Sequence, residues 1–428
     1  MNSNHLILNQ LNTNNLQESI VLIHAGLIPG KKTHNLQFKF AGKCIFDNCF
    51  FKKKLQLMNK TENRILSLDI FRGMTIMAMI IVNTPGSWSY AYPILRHSEW
   101  NGCTPTDLVF PFFIFAMGFS AVLSISKRLQ KGVSKQKLVA QLIRRSAIIF
   151  LLGLIINSFP FNDLANIRIP GVLQRIAIVN LICGLFLIYS DIKRIWYVSI
   201  VLLSGYWALM TLVPVPDFGS ANLEPTTNLA AWLDRLLIGK HVWQYTKLYD
   251  PEGILSTIPA IVSGFIGVLA GNSFMKTKDE RDRLTALLVF GNILIISGMI
   301  FDLVFPINKQ LWTSSYVLYT SGLAMVVLGI VYWIADIKRI RQFAPPFLAF
   351  GTNPIVAYFG SEIGIIIIGI IKIESGNGLI SLYDWLFIQY QAIGLSPINA
   401  SLFGALLYTS LWLLVVGIMY RRHIIVKI

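Results

Sequence analysis

The chain has 428 residues, of which 54% are hydrophobic and only 14% are charged. Soluble domains carry about 25% charged residues, so this composition excludes an ordinary soluble protein and indicates an integral membrane protein. The net charge of +16 falls mainly between hydrophobic segments. That distribution favours a role in membrane topology over nucleic-acid binding, and we predict no nucleic-acid partner.

Residues 1–57 differ from the rest, being rich in Asn and Gln and without a long apolar run. We predict a disordered N-terminal extension here, followed by a transmembrane domain over residues 58–428. Met58 opens a segment typical of the start of a membrane protein. Two hypotheses follow: a true cytoplasmic tail, or an over-extended reading frame whose native start is Met58. The apolar patches are too short for a signal peptide.

A membrane helix needs about 20 apolar residues. By that rule the sequence predicts an all-α polytopic membrane protein with about ten transmembrane helices, or eleven if an amphipathic stretch also enters the bilayer. The predicted spans are 66–84, 104–126, 138–157, 171–189, 195–213, 254–273, 284–305, 315–335, 344–371 and 402–420. Gly351 and Pro354 predict a kink or break in the ninth. Two amphipathic stretches, Leu229–Trp243 and Leu379–Tyr390, are predicted to lie in the membrane interface.

Lys and Arg concentrate in alternate connections between the predicted spans and in the C-terminal tail. Cytoplasmic loops carry such an excess. The pattern therefore predicts that both termini are cytoplasmic. It also predicts that the connection containing His97 lies on the outer side of the membrane.

The cysteines and the common catalytic motifs exclude several kinds of site. Cys44, Cys49, Cys103 and Cys183 form no CxxC pair, so we predict neither a zinc site nor a disulfide scaffold. The Walker A loop, the GxSxG elbow and the HExxH motif are absent. No metal is expected.

The segment Arg96–Phe115 passes from polar residues into the apolar run of the second helix. His97 lies in its polar part, and a neutral imidazole accepts a proton near pH 7. A catalytic base and an ordinary interfacial histidine are the two interpretations. Asp107 either caps the helix or orients His97, as carboxylates orient catalytic histidines. Asn83 ends the first helix on the same side, one loop earlier.

Ionisable residues inside membrane spans are costly and are candidates for function. Asp69 and Arg72 begin the first helix, where capping and snorkelling to lipid phosphate are the alternatives to a functional role. Gln174 and Arg175 lie within the fourth span. Arg175 either pairs with Asp107 or Asp69, or contacts a bound anion.

Three further polar groups flank later spans. Asp250 and Glu252 precede the sixth span on the outer side, where they either cap the helix or contact a polar substrate. Asn353 lies before Pro354, where a broken helix exposes backbone to a ligand. Asp302 and Glu362 are weaker candidates.

Several motifs together resemble those of one family, the heparan-α-glucosaminide N-acetyltransferases. The motifs are Ser67–Met74 (SLDIFRGM), Val82–Asn83, His97–Gly118, Arg168–Ala177, Asp250–Ala260, Trp312–Tyr316 and Phe350–Tyr358. The resemblance covers nearly all of residues 62–420 and none of residues 1–57. Animal members of the family carry an extra lumenal N-terminal domain. We therefore expect a compact bacterial type, located in the inner membrane.

The resemblance implies that an acetyl group moves from cytoplasmic acetyl-CoA to a glucosamine-type amine on the outer side. The active-site histidine of the family falls on His97, and its nearby asparagine falls on Asn83. The candidates for binding acetyl-CoA are the inner and intramembrane residues Asp69, Arg72, Gln174, Arg175 and Asn353. The candidates for binding the acceptor are the outer residues Trp100, Asn101, Asp107, Asp250 and Glu252.

Several alternatives stay open at this point. His97 acts either as a base or as a covalent acetyl carrier. A transporter of a sugar or acyl carrier also explains ionisable residues and broken helices. An O-acetyltransferase of a surface glycan is the alternative within the enzyme class. The expected partners are acetyl-CoA, an amino-sugar or glycan acceptor and the lipid bilayer, with a homodimer as a further hypothesis.

Overall fold

The computed structural model describes residues 65–375 and 378–426. The predictions made for residues 1–57 lie outside these ranges. The described part is built almost entirely of helices, joined by short connections at one end and by longer connections at the other.

Thirteen α-helices and one hairpin of two strands follow one another along the described chain. The helices are α1 (Leu66–Asn83), α2 (Pro105–Gln130), α3 (Lys135–Ser158), α4 (Val172–Tyr189), α5 (Ile192–Leu212), α6 (Leu229–Leu237), α7 (Thr257–Lys276), α8 (Glu280–Asp302), α9 (Ser314–Tyr332), α10 (Ala344–Thr352), α11 (Pro354–Ile370), α12 (Leu382–Ala392) and α13 (Pro397–Arg421). The antiparallel strands are β1 (Lys372–Ser375) and β2 (Gly378–Ser381).

Nine helices of the described ranges are long and apolar enough to cross a membrane, and the pair α10–α11 makes up to ten. This confirms the predicted number of spans. The axes of α10 and α11 differ by 84°, and the break falls at Asn353, before Pro354. The predicted break in the ninth span is therefore confirmed. Proline starts a helix readily because the first turn needs no N–H from it.

The spans differ in how much of their surface other helices cover. The central helices α1, α2 and α7 are 67%, 67% and 72% buried over their most apolar windows. The peripheral helix α8 is 17% buried, so most of its apolar surface faces outward. In a bilayer that surface contacts lipid tails, which are as apolar as the side chains themselves.

Glycines bring the central helices into backbone contact. A Cβ atom on Gly118 of α2 would lie 2.0 Å from the carbonyl oxygen of Gly264 on α7. A Cβ atom on Gly73 of α1 would lie 1.7 Å from the carbonyl oxygen of Phe347 on α10. Small residues at helix interfaces allow this close approach in membrane proteins.

The longer connections meet at one end of the bundle. The amide of Gly102, between α1 and α2, donates to the carbonyl of Ile307, between α8 and α9, at 2.7 Å. The amide of Ile169, between α3 and α4, donates to the carbonyl of His241, between α6 and α7, at 2.9 Å. Four connections distant in sequence thus form one polar surface around the α1–α2 segment.

Two details differ from the predicted elements. The amphipathic stretch Leu229–Trp243 forms α6 and a short 3-10 turn at Gly239–His241. The stretch Leu379–Tyr390 begins in β2 and continues as α12. The hairpin was not predicted, because its two four-residue strands carry no long alternating pattern.

Candidate active site

His97 and Asp107 form the centre of the polar surface. The Nδ1 atom of His97 lies 2.7 Å from Oδ1 of Asp107, which is the third residue of α2. The Asp107 side chain is fully buried, whereas the His97 side chain is 44% exposed. A carboxylate on Nδ1 holds an imidazole in the tautomer whose Nε2 is free to accept a proton. The exposed ring is therefore oriented as a base.

Asp107 both caps α2 and orients His97, which are the two roles that the sequence left open. Its Oδ2 atom accepts hydrogen bonds of 3.0 Å from the backbone amides of Ser98 and Thr104, in addition to its contact with His97 through Oδ1. The bond from Thr104 belongs to a capping box at the start of α2. One carboxylate thus caps α2, fixes the turn that carries His97 and holds the imidazole.

Lys309 is a third member of this group, and it was not among the residues predicted from the sequence. Its Nζ atom lies 2.9 Å from Nδ1 and 3.3 Å from Nε2 of His97, and 3.5 Å from Oδ1 of Asp107. Burial lowers the pKa of the Lys309 ammonium, while the charges of Asp107 and Glu252 act in the opposite direction. Lys309 lies in the α8–α9 connection, beside the matched motif Trp312–Tyr316, and that proximity was the only available signal.

Cys103 lies in the same group, where its surroundings disfavour the nucleophilic form of its thiol. Burial, followed by the charge of Asp107, raises the pKa of that thiol to about 12. The reactive form of a cysteine is the thiolate, so His97 is the stronger candidate for the chemistry of the group.

Arg168 gathers the two outer carboxylates. It donates to Asp250 at 2.6 and 2.8 Å and to Glu252 at 2.5 Å. Burial alone would lower the pKa of Arg168, but its hydrogen bond to Asp250 and the charge of Glu252 outweigh that effect and raise it. The capping roles considered for Asp250 and Glu252 are not what the structure shows, because α7 begins only at Thr257. Nothing in the sequence alone indicated that Arg168 is their partner.

Asp234 of α6 fixes the turn that carries these carboxylates. It accepts hydrogen bonds from the amides of Asp250 and Ile254 at 3.1 and 3.0 Å. Burial raises the pKa of Asp234 to about 6. A cation and three carboxylates therefore lie close together around the connection that precedes α7.

Arg175 is the deepest charged group near the site. Its Nη2 donates to Ser256 Oγ at 2.5 Å and to the Gly253 carbonyl at 3.3 Å, and its guanidinium lies 4.9 Å from the centre of the Trp312 ring. Of the two alternatives for Arg175, the pairing with Asp107 or Asp69 is therefore not the one that the structure shows. The aromatic face of Trp312, which attracts cations, is the partner of the guanidinium in place of a carboxylate.

Three buried donors, two on Arg175 itself and one on its neighbour Gln174, have no hydrogen-bond partner within the described residues. They are Nε and Nη1 of Arg175 and Nε2 of Gln174. Leaving a buried donor unsatisfied costs about 1–3 kcal/mol, and more for a charged group. The alternative that the sequence left open for Arg175, contact with a bound anion, stays a prediction, and these unpartnered donors support it.

Asn83 lies at the end of α1, and its side chain contacts another helix. Its Nδ2 donates to Oε1 of Glu362, on α11, at 2.9 Å. An amide nitrogen carries two hydrogens, so one N–H of Asn83 remains for a further acceptor. Glu362, ranked as a weaker candidate from the sequence, fixes the orientation of this amide.

Trp100 and Asn101 link the His97 loop to its surroundings. Trp100 donates from Nε1 to the Leu223 carbonyl at 3.0 Å and packs edge-to-face against Tyr249. The amide oxygen of Asn101 accepts from Asn308 at 3.2 Å. Both residues anchor the rim of the polar surface, next to the exposed His97 ring.

The remaining candidates lie at the opposite end of the bundle. Asp69 and Arg72 approach within 3.7 Å of one another. Arg145 of α3 lies close enough to Arg72 for their like charges to interact. Asn353, at the α10–α11 break, donates to the Ile424 carbonyl and accepts from the Val426 amide. The side chain of Asn353 thus holds the C-terminal segment.

An apolar cavity of about 480 Å³ lies away from both groups, between α5, α7, α8 and α9. Arg283 is the one charged residue in its lining. The cavity lacks the base, carboxylate and amide that the polar end provides, so we place the candidate active site at His97.

The fold and the site define a polytopic α-helical membrane protein with an oriented histidine at the mouth of its bundle. The family model described as "Heparan-alpha-glucosaminide N-acetyltransferase, catalytic" matches residues 64–286, which is more than half of the chain. The chain therefore belongs to the heparan-α-glucosaminide N-acetyltransferase family. The matched range includes Asn83, His97, Arg168 and Glu252, and ends before Lys309.

Two relatives extend the match beyond that range. Heparan-alpha-glucosaminide N-acetyltransferase of Mus musculus is 30% identical over 422 residues, covering 86% of this chain and 61% of the relative. The protein of the same name from Homo sapiens is 31% identical over 419 residues, covering 85% and 60%. The chain thus matches about three fifths of the length of these relatives.

Proposed function

We propose that this chain is a membrane acetyltransferase that moves an acetyl group from acetyl-CoA to the amine of a glucosamine-type sugar. The donor enters from the cytoplasmic side, and the acceptor binds on the outer side of a bacterial inner membrane. The observation that carries the proposal is the His97–Asp107 pair, an oriented base at the mouth of the bundle. Family membership supports the reaction class, since the relatives are named N-acetyltransferases.

The proposed chemistry begins at Nε2 of His97. This atom takes a proton from the acceptor amine while the amine nitrogen attacks the carbonyl carbon of the thioester. The carbon–sulfur bond then breaks, and the imidazolium gives its proton to the sulfur of the leaving CoA. The proton balance closes without water or metal. General acid–base catalysis of this kind contributes about 10²–10⁴ in rate.

Asn83 is proposed to stabilise the oxyanion that forms on the thioester oxygen. Its first N–H is held by Glu362, so the second is the donor available for that role. An oxyanion donor contributes about 10²–10³ in rate. The contact with Glu362 supports this role, because a donor that is fixed in advance need not reorganise during the reaction.

A covalent route uses the same atom differently. Nε2 attacks the thioester, CoA leaves, and the acetyl-imidazole then passes the acetyl group to the amine. Rapid-quench labelling with radioactive acetyl-CoA in the absence of acceptor distinguishes the routes. Label trapped on the peptide that contains His97 favours the covalent route, and its absence favours direct transfer.

The donor site is proposed to run through the bundle from its inner end. The phosphates of CoA are anionic, and the neighbouring guanidinium groups of Arg72 and Arg145 offer positive charge there. Asp69, beside Arg72, would orient that guanidinium. The unpartnered donors of Gln174 and Arg175 suit the amide oxygens of the pantetheine arm. Asn353 would support the inner end indirectly, through the C-terminal segment.

The acceptor is proposed to bind on the rim around His97. The Trp100 indole suits packing against a sugar ring, and Asn101 offers amide groups to hydroxyls. Asp250 and Glu252, held by Arg168, would accept hydrogen bonds from the N–H groups of the neutral amine and orient it. An amino sugar of the bacterial envelope is the acceptor class that this arrangement favours.

The test is acetyl transfer by the full-length protein purified in detergent, with radiolabelled acetyl-CoA and a panel of amino sugars. We expect an amide product whose formation His97→Ala lowers by at least about 10². An ester product would instead indicate O-acetylation of a glycan. Absence of any transfer, together with sugar uptake into proteoliposomes, would replace the proposal with a transporter.

A further inference from the structure

Lys309 contacts His97 in a geometry that an ordinary hydrogen bond does not explain. Its Nζ is almost equally far from Nδ1 and Nε2, at 2.9 and 3.3 Å. The two ring nitrogens flank Cε1, so an Nζ in the ring plane at these distances would overlap that carbon. The ammonium group therefore lies over a face of the imidazole, where it obstructs neither the Nδ1–H contact with Asp107 nor the in-plane lone pair of Nε2.

In this position, Lys309 affects the charge of the His97 ring in the direction opposite to Asp107. Asp107 contacts Nδ1 at 2.7 Å and favours a positively charged ring. Lys309 favours a neutral ring, because a neutral π system attracts a cation and an imidazolium repels it. The same lysine lies 3.5 Å from Asp107, so its ammonium also offsets the carboxylate directly.

We propose that Lys309 is a positioning residue that keeps His97 neutral and able to accept a proton. The inference rests on the function proposed above and deepens it. In the reaction, the proton taken from the acceptor amine creates an imidazolium beneath the ammonium. Repulsion between the two cations then favours delivery of that proton to the sulfur of the leaving CoA.

The charges that face this pair come from several elements. Asp107 begins α2, Glu252 precedes α7, and the Cys103 thiol lies in the α1–α2 loop. The hydroxyl of Tyr316 on α9 donates to the Asp107 carbonyl at 2.6 Å. Cys103 and Tyr316 are uncharged near neutral pH. Glu252 is paired with Arg168, so the balance at His97 is set by Asp107 on one side and by Lys309 on the other.

The test measures the reactivity of His97 directly, so it does not depend on acetyl transfer. Diethyl pyrocarbonate modifies neutral imidazole, and peptide mass spectrometry resolves each histidine. The full-length protein in detergent is treated over a range of pH values, as wild type and as Lys309→Met, Lys309→Arg and Lys240→Met. Lys240 is an exposed lysine in another connection of the same end, which makes it the matched control.

We expect Lys309→Met to move the midpoint of His97 modification to higher pH by about one unit, a tenfold change in the neutral fraction at low pH. Lys309→Arg and Lys240→Met should keep the wild-type midpoint. His241, partly buried in the same preparation, should keep its own midpoint in Lys309→Met and Lys309→Arg. The low-pH limb of the acetyl-transfer rate should move with the His97 midpoint.

A second pair of variants keeps the test decisive if Lys309→Met folds poorly. Asp107→Asn should move the midpoint to lower pH, and the double variant Asp107→Asn, Lys309→Met should bring it back towards wild type. An unchanged His97 midpoint in Lys309→Met, with His241 unaffected, would overturn the inference. So would a shifted midpoint without a shifted rate profile. Absence of transfer in the wild type would instead overturn the proposed function alone.

Discussion

At the scale of single residues, the site depends on side chains that hold other side chains. Asp107 holds His97, Arg168 holds Asp250 and Glu252, and Glu362 holds Asn83. In each of these contacts, one partner is a residue that the sequence indicated as a candidate. The other partner lies on a different element or further along the loop. The orientation of the candidate catalytic atoms therefore depends on the assembled bundle.

The contact between Asn83 and Glu362 yields a prediction. Glu362→Ala removes the acceptor that orients the Asn83 amide, so we expect kcat to fall by about tenfold or more, a part of the 10²–10³ attributed to an oxyanion donor. KM for the amino sugar should change little, since the contact lies away from the proposed acceptor rim. Steady-state kinetics of the purified variant provides the measurement.

Glu362→Gln is the matched control, because its amide oxygen can still accept from Asn83. It should keep most of the wild-type kcat. Equal losses in Glu362→Gln and Glu362→Ala would contradict a positioning role and point to a need for the carboxylate itself.

The sequence identified His97, Asp107 and Asn83, because polar groups at the mouth of an apolar helix are conspicuous and the surrounding motifs resemble a known family. It did not identify Lys309, which is 212 residues from His97 and lies in a connection where lysine is unremarkable. Asp250 was a candidate and Arg168 begins a matched motif, but the sequence did not indicate that these residues, 82 positions apart, form a pair. Such contacts depend on how helices pack, and one sequence carries no direct signal of that packing.

At the scale of helices, the spans could be predicted because backbone groups in lipid must be bonded within a continuous apolar helix. The break before Pro354 followed from the geometry of proline. The hairpin of β1 and β2 could not be predicted, since four-residue strands are too short for a clear alternation. The sequence also did not show which helices lie at the centre, because the mean hydropathies of the central and peripheral spans overlap.

The glycine contact between α2 and α7 yields the second prediction. Gly118→Leu inserts a side chain where a Cβ atom alone would lie 2.0 Å from the Gly264 carbonyl. We expect the helices to separate, with a loss of thermal stability and of transfer activity, since overpacking costs about 1–3 kcal/mol or more. Thermal unfolding of the purified protein, followed by size-exclusion chromatography, measures the effect.

Gly205→Leu is the control for that experiment. Nothing lies within 4 Å of a Cβ atom at Gly205 of α5, so this variant should retain wild-type stability. If both variants had the same midpoint of thermal unfolding as the wild type, the close α2–α7 packing would be wrong.

At the scale of the whole molecule, the account requires the two ends of the bundle to face different compartments. The His97 group lies at the end where the longer connections meet, and Arg72 and Arg145 lie at the other. The excess of Lys and Arg in alternate connections predicts that the His97 end is outside. The proposed binding of the donor at one end and of the acceptor at the other would explain why the site lies within a membrane bundle.

Sidedness is testable with single cysteines in a background without the four native ones. Lys240→Cys, in the α6–α7 connection, should react with a membrane-impermeant maleimide added to intact cells. Lys278→Cys, between α7 and α8, should react only after the membrane is permeabilised. The reverse pattern would invert the proposed topology and place the acceptor in the cytoplasm.

The central claim is that this protein moves acetyl groups across the membrane with His97 as its essential catalytic residue, and reconstituted vesicles test it most directly. Radiolabelled acetyl-CoA is supplied on one side and glucosamine on the other, with wild type, His97→Ala and the control His423→Asn at the opposite end of the bundle. We predict labelled N-acetylglucosamine on the acceptor side for wild type and His423→Asn, with a loss of at least about 10² in rate for His97→Ala. Near-normal transfer by His97→Ala would contradict the account.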